Sequence, residues 1–212
     1  MKNLLIIIVL SFVGYFAYQK MDQPEGAFDA DGKAKVLFFT FTQCGAPCED
    51  AEKLLINKKV EFEKLVVDTS EAARKKIESF KSGTQMPQLY VGERRVLGFH
   101  RDRYREALAE IYGLEVLSPS IRKVIKTHFD ENGGPRIVMY GAAWCPHCKA
   151  AREYFLSEGI DFKEWDVEKE SEAGRNYKLL ESSGYPLIYV GYRRFEGFNK
   201  EGVLSAVGSH HL

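Results

Sequence analysis

Cysteine is scarce: the 212 residues hold four, in two local pairs, Cys44/Cys48 and Cys145/Cys148. A small secreted fold stapled by disulfides would scatter more of them, so that class is excluded and the pairs point to redox or metal chemistry. Charge of one sign is also missing, since 30 Lys and Arg face 30 Asp and Glu. Without a net basic field the chain lacks the counterion-release term that holds a phosphate backbone, which argues against nucleic acid as a partner. No cysteine follows the first apolar run to take a lipid, and His210-His211 has no third ligand near it in sequence, so the C-terminus reads as a polar tail. The 45% hydrophobic and 28% charged composition fits ordinary globular folding and excludes a disordered or collagen-like chain.

One long hydrophobic run is present. Lys2 precedes an uncharged stretch from Asn3 to Gln19 that is almost wholly apolar between Leu4 and Tyr18. It is shorter than the ~20 residues that comfortably span a bilayer and overlaps the length of a signal-peptide core. A cut after Ala17 would place Tyr15 at the upstream small-residue position, and one after Ala30 would place Phe28 there. The expectation is therefore an uncleaved N-terminal transmembrane helix over 1–20, with a cleaved signal as the alternative. Lys2 lies before the run, whereas Asp22, Glu25, Asp29 and Asp31 dominate after it, along with Lys20. By the positive-inside rule the N-terminus stays in the cytoplasm and the rest is extracytoplasmic, on the periplasmic side of a single-pass protein.

Beyond the run the chain repeats itself. Met86-Pro87-Gln88-Leu89-Tyr90-Val91-Gly92 aligns with Tyr185-Pro186-Leu187-Ile188-Tyr189-Val190-Gly191, and Gly98-Phe99 and Gly197-Phe198 follow at the same distance. Val36–Phe39 and Ile137–Tyr140 are continuous apolar runs, as expected of strands buried on both faces. Ala51, Leu54 and Leu55, and then Ala151, Tyr154 and Phe155, mark the inner face of a helix that begins at each cysteine pair. Strands over 61–67 and 161–167 follow. The next helices are set by Ala73, Ile77 and Phe80, and by Ala173, Tyr177 and Leu180; the last by Tyr104, Leu108 and Ile111, and by Val203, Leu204 and Val207. The order is β-α-β-α-β-β-α, twice: a linker over 21–34, one domain over 35–113, a connecting helix within 114–134 and a second domain over 135–212. Ser118-Pro119-Ser120 reads as the cap of the connecting helix, with proline at its first position; the apolar stripe Ile121, Val124, Ile125 and Phe129 favours packing on the second domain, with a spacer as the alternative.

Trp144-Cys145-Pro146-His147-Cys148 on the first strand-to-helix turn, with Tyr185-Pro186 before the hairpin, resembles the active site of glutaredoxins and thioredoxins, and the repeat order resembles glutaredoxins most. The fold class this implies is α/β, two tandem thioredoxin-like domains behind the anchor. The chemistry stands on its own physics as well. A thiol is a useful nucleophile only as thiolate, and a helix N-terminus stabilises an anion through its unpaired N–H groups and dipole. Cys145 is placed for that role. Pro146 suits the first helical position, Cys148 lies one turn on to resolve a mixed disulfide, and His147 can add positive charge beside the thiolate. The same four residues occur in periplasmic disulfide-forming oxidases, so reductase and oxidase directions both stay open.

The resemblance further implies a cis bond before Pro186, with Tyr185 on the platform that pairs with substrate, and Met86 and Pro87 as the substrate-binding residues of the first copy. Cys44-Gly45-Ala46-Pro47-Cys48 departs from the pattern by one extra residue, which leaves its redox poise open. The readings for this first pair are a second redox-active pair and a substrate-binding domain that kept its thiols. Glutathione is an expected co-substrate and disulfide-bearing proteins are expected clients, with no tightly bound cofactor. Neither copy has a Lys just before its cysteine, and each has one glycine where glutathione-binding stretches have two. Arg94, Arg95, Arg193 and Arg194 read as carboxylate partners for glutathione or as solvated hairpin charges. The pairs lie about 100 residues apart, each within a redox-type turn, so no metal site is expected. The function expected is a thiol–disulfide oxidoreductase, with a membrane-tethered client-binding module of little turnover as the alternative.

Overall fold

A computed structural model describes residues 26–81 and 83–208. The segment expected to anchor the chain, 1–20, lies outside the described residues, as does His210-His211. Among the described residues no helix is long and apolar enough to cross a membrane. Two compact units result: the described residues up to Leu55 with Lys59–Gly98, and Ile56–Lys58 with Phe99 onward.

The first unit is built around β1 (Val36–Thr40), which is buried along its whole length. Its continuous apolar run is explained by neighbours on both sides: β2 (Glu63–Val66) runs parallel to it, and β3 (Gln88–Val91) antiparallel. With β4 (Arg94–Leu97) the sheet order is β2-β1-β3-β4. Helix α1 (Ala46–Asn57) buries Cys48, Ala51, Leu54 and Leu55. Helix α2 (Glu71–Ser79) starts where the Ser70 side chain accepts the Ala73 N–H. Phe39 meets Tyr90 edge-on at 5.5 Å, and Phe80 stacks on Tyr90 at 4.3 Å.

Residues read as linker belong to this unit. Ala27 is fully buried and its N–H donates to the Gly92 carbonyl, at 2.8 Å. Asp29 closes the turn by accepting from the backbone of Asp31 and Lys33. Asp130 does the same for Asn132 and Gly134. The repeat thus begins earlier than the strands: Phe28-Asp29-Ala30-Asp31-Gly32 matches Phe129-Asp130-Glu131-Asn132-Gly133.

The second unit opens with α3 (Arg101–Tyr112), a 3-10 turn over Gly113–Val116, and α4 (Pro119–Lys126). There follow β5 (Ile137–Gly141), α5 (Pro146–Ser157), β6 (Lys163–Asp166), α6 (Ser171–Leu179), β7 (Leu187–Val190), β8 (Arg193–Glu196) and α7 (Lys200–Gly208). The sheet order β6-β5-β7-β8 repeats that of the first unit. In sequence order α3 closes the first repeat, yet it folds with the second unit. The reason is Glu106, whose buried carboxylate accepts from the Tyr189 hydroxyl at 2.9 Å and pairs with Arg194 at 3.3 Å. Ser118 stands at the N-cap of α4 but makes no side-chain cap bond, so Pro119 alone carries the start signal there. Leu204 is exposed rather than part of the inner face of α7, where Val203 and Ala206 are buried.

Helix α4 packs on the second unit as its apolar stripe predicts, with Ile121, Val124 and Ile125 buried. His128 behind it is fully buried, with its ring 4.4 Å from that of Tyr189 and a ring nitrogen 3.0 Å from the Tyr140 hydroxyl. Burial keeps its imidazole neutral and pushes its pKa down to about 3. The unfolded chain takes up this proton near pH 6.5 and the native chain only near 3, so the stability involved is present above 6.5 and lost as pH falls. In urea titrations between pH 6.5 and 4, the wild type is expected to lose stability faster than His128→Gln, by up to about 1.4 kcal/mol per pH unit.

Candidate active site

The two cysteine pairs occupy the same place in their units and differ in local geometry. In the second unit, extended backbone at Cys145 (φ −72°, ψ 118°) makes this residue the N-cap of α5, and its Sγ accepts the Cys148 N–H at 3.2 Å. The sulfur therefore sits on one of the unpaired N–H groups at the positive end of a twelve-residue helix. Pro146 follows at the first helical position, where its missing N–H costs nothing. His147 is exposed on that turn. Cys145 and Cys148 are both buried free thiols.

Burial, then the hydrogen bond with Cys145, then charge from Cys145 and Glu164 push the Cys148 thiol up to about 12. At neutral pH Cys148 keeps its proton, and of the two sulfurs Cys145 is the one placed to attack. Room for the Cys148 sulfur comes from Gly141: a Cβ there would lie 2.9 Å from it. The first unit has Thr40 at the matching end of β1.

The Tyr185-Pro186 bond is cis, and Tyr185 packs against the cluster of Ala142, Cys145 and Cys148. The Pro186 carbonyl accepts from Gly197 at 2.8 Å, which ties this segment to the end of β8. Trp144, 65% exposed, stands edge-on to Tyr185 with ring centres 5.9 Å apart. Thus the fold brings Trp144, Cys145, Pro146, His147, Cys148, Tyr185 and Pro186 to one place.

In the first unit the extra residue is accommodated at the start of the helix. Gly45 takes a positive φ of 76°, and its carbonyl receives the Cys48 N–H, at 3.1 Å. Cys44 is thereby moved one residue out from the N-terminus of α1 and is joined to Cys48 in a disulfide, with 5.7 Å between Cα atoms. The pair opens on a cleft of about 440 Å³ shared with Thr40, Glu52, Lys64 and Thr69. Met86-Pro87 is cis like its counterpart, but Met86 packs into the first unit's core cluster.

A charge reversal beneath the two helices carries no local signal in the sequence. Glu52 pairs with Lys64 at 2.7 Å in the first unit, whereas Arg152 pairs with Glu164 in the second, at matching positions. Arg194, a carboxylate partner for glutathione by sequence, is consumed by the fold. Its side chain is 5% exposed and binds Glu106, Glu196 and the Leu180 carbonyl. Burial opposes its charge, but Tyr189, Glu106 and Glu196 together outweigh that and hold it firmly protonated.

Residues 36–96 and 137–195 both match the Glutaredoxin family. The chain belongs to the glutaredoxin family. Over 67 residues it is 39% identical to the glutaredoxin-like 8.6 kDa protein in the rubredoxin operon of Clostridium pasteurianum, covering 30% of this chain and 87% of that one. It is 28% identical over 75 residues to the glutaredoxin of Pseudomonas aeruginosa, covering 35% of this chain and 89% of the other. Among solved structures it is similar to the glutaredoxin of Archaeoglobus fulgidus, at 27% identity, 34% and 85% coverage and a TM-score of 0.31. Each alignment spans about one glutaredoxin repeat. The two units are accordingly thioredoxin-like α/β domains with mixed sheets, arranged as a glutaredoxin tandem.

Proposed function

We propose that this chain is a thiol–disulfide oxidoreductase whose second repeat carries the reaction. The observation that supports it is the Cys145 sulfur, capping α5 and accepting the Cys148 N–H beside the cis Tyr185-Pro186 bond. The Cys145 thiolate attacks one sulfur of a client disulfide, forming a mixed disulfide as the other client sulfur leaves and takes a proton. Cys148 then gives up its proton and attacks the Cys145 sulfur. The client is released as a dithiol, and the chain keeps the two-electron oxidised Cys145–Cys148 disulfide until an external thiol reductant returns it to the dithiol.

Clients in this reading are disulfide-bearing polypeptides or glutathione mixed disulfides. The Cys44–Cys48 disulfide is a second pair available for exchange. The apolar run at Leu4–Tyr18 tethers both repeats to a membrane, on its extracytoplasmic face. Cys148→Ser tests the order of attack, because removing the resolving thiol leaves the first intermediate with no intramolecular escape. Incubated with oxidised glutathione, the full-length variant is expected to accumulate one glutathione on Cys145 by peptide mass mapping. Absence of any Cys145 adduct would overturn the assignment of the nucleophile.

A further inference from the structure

Around Cys145 the second unit carries an aromatic rim bound to an acid, whereas the first unit keeps the acid without these rings. Trp144 donates its indole N–H to both carboxylate oxygens of Glu168, each at 3.0 Å. Tyr185 lies between Trp144 and Tyr177, at 5.9 and 5.0 Å between ring centres, so three rings form a continuous ladder beside the reactive sulfur. Tyr177 is fixed by its hydroxyl bond to the Gly184 carbonyl, at 2.9 Å.

In the first unit the corresponding positions hold Met86, Ile77 and Asp68, and Asp68 accepts from the Thr42 backbone instead. The acid on the second rim is not neutralised by its contact, because an indole N–H is an uncharged donor. Lys169, the next residue in the chain, pairs with Asp166 at 3.2 Å rather than with Glu168. His147 stands exposed on the first turn of α5, which leaves Glu168 as the charge bound directly to the ladder.

We propose that this rim selects the client: an extended polypeptide whose reacting cysteine is flanked by Lys or Arg, the aliphatic stem lying on the rings and the cation facing Glu168. This rests on the oxidoreductase reading and narrows its substrate class. An exposed tryptophan face with half-buried tyrosine rings beside it attracts cations and buries apolar stems, while the adjacent carboxylate adds the opposite charge. Glutathione is a weaker match, since each half of its disulfide carries two carboxylates against one ammonium and so brings a net like charge to Glu168. The first unit, without the ladder, does not share the preference.

The test compares initial rates (kcat/KM) of the full-length chain, kept turning over by an external dithiol, on three disulfide-linked peptide dimers. These differ in the residue beside cysteine: Lys, Ala or Glu. Wild type is expected to favour Lys over Ala by about fivefold and Ala over Glu by a similar factor, with oxidised glutathione grouping with the Glu peptide. The Lys-to-Glu ratio should shrink with added salt and fall toward one in Glu168→Gln, which keeps an acceptor for the indole. Trp144→Ala should raise KM for the Lys peptide more than it changes kcat. Turnover of all three peptides at equal rates would overturn the rim while leaving the oxidoreductase reading intact. No turnover of any peptide, with no adduct trapped on Cys145 in Cys148→Ser, would overturn both.

Discussion

Cys145→Ser is expected to lower disulfide-exchange turnover by about 10³-fold or more, the scale on which removal of a nucleophile acts in other enzymes. An alcohol is not ionised at neutral pH and cannot form the sulfur–sulfur bond that carries the reaction, so neither helix dipole nor capping N–H can rescue it. Serine is nevertheless a good N-cap, and its Oγ can accept the Cys148 N–H as the sulfur does, so the fold should survive. An unchanged thermal transition with lost turnover separates chemistry from folding. Whatever turnover remains measures the Cys44–Cys48 pair acting alone. Residual turnover above a tenth of wild type would move the main site to the first repeat.

Glu106→Ala is expected to have the largest effect on stability. Its carboxylate is buried between the Tyr189 hydroxyl and the Arg194 guanidinium, so truncation leaves a charge that is 5% exposed without this partner. Breaking a buried pair on one side costs about 3–5 kcal/mol, whereas removing both charges is often nearly neutral. Glu106→Gln should cost less, since it keeps an acceptor for Tyr189, and the double change Glu106→Met with Arg194→Met should recover much of the loss. The chain has two tryptophans, Trp144 and Trp165, and both lie in the second unit, so their fluorescence reports that unit's unfolding by itself. A drop of about 2 M in the urea midpoint is expected for Glu106→Ala. No shift would mean that the pair does not hold α3 to this unit.

The sheets were legible because their strands advertise themselves. Val36–Phe39 and Ile137–Tyr140 are apolar without alternation, and both lie in inner strands with neighbours on each side. The second-repeat site was legible for a related reason: Cys145, Pro146, Cys148 and Tyr185-Pro186 are local signals, read within one turn of helix or across one peptide bond. What was missed depends on distance. The home of α3 is decided by Glu106 meeting residues more than 80 positions away, and no local pattern encodes such a partner. The opposite pairs Glu52–Lys64 and Arg152–Glu164 each join a helix to a strand 12 positions on, so they look like surface charges until the register is known. The Phe-Asp turn that opens each repeat was visible in the sequence, but the first copy lies in a stretch whose Gly and Asp content reads as linker.

Cys145 and Cys148 are expected to form a reversible intramolecular disulfide. This is tested most directly by equilibrating the full-length chain in graded mixtures of reduced and oxidised glutathione, quenching with an alkylating agent and resolving each cysteine peptide by mass. The expected result is one two-electron transition in which the Cys145–Cys148 peptide passes from doubly alkylated to internally cross-linked, at its own midpoint and independently of Cys44–Cys48. A pair that stays doubly alkylated at every ratio, or takes up glutathione without ever closing, would contradict the account.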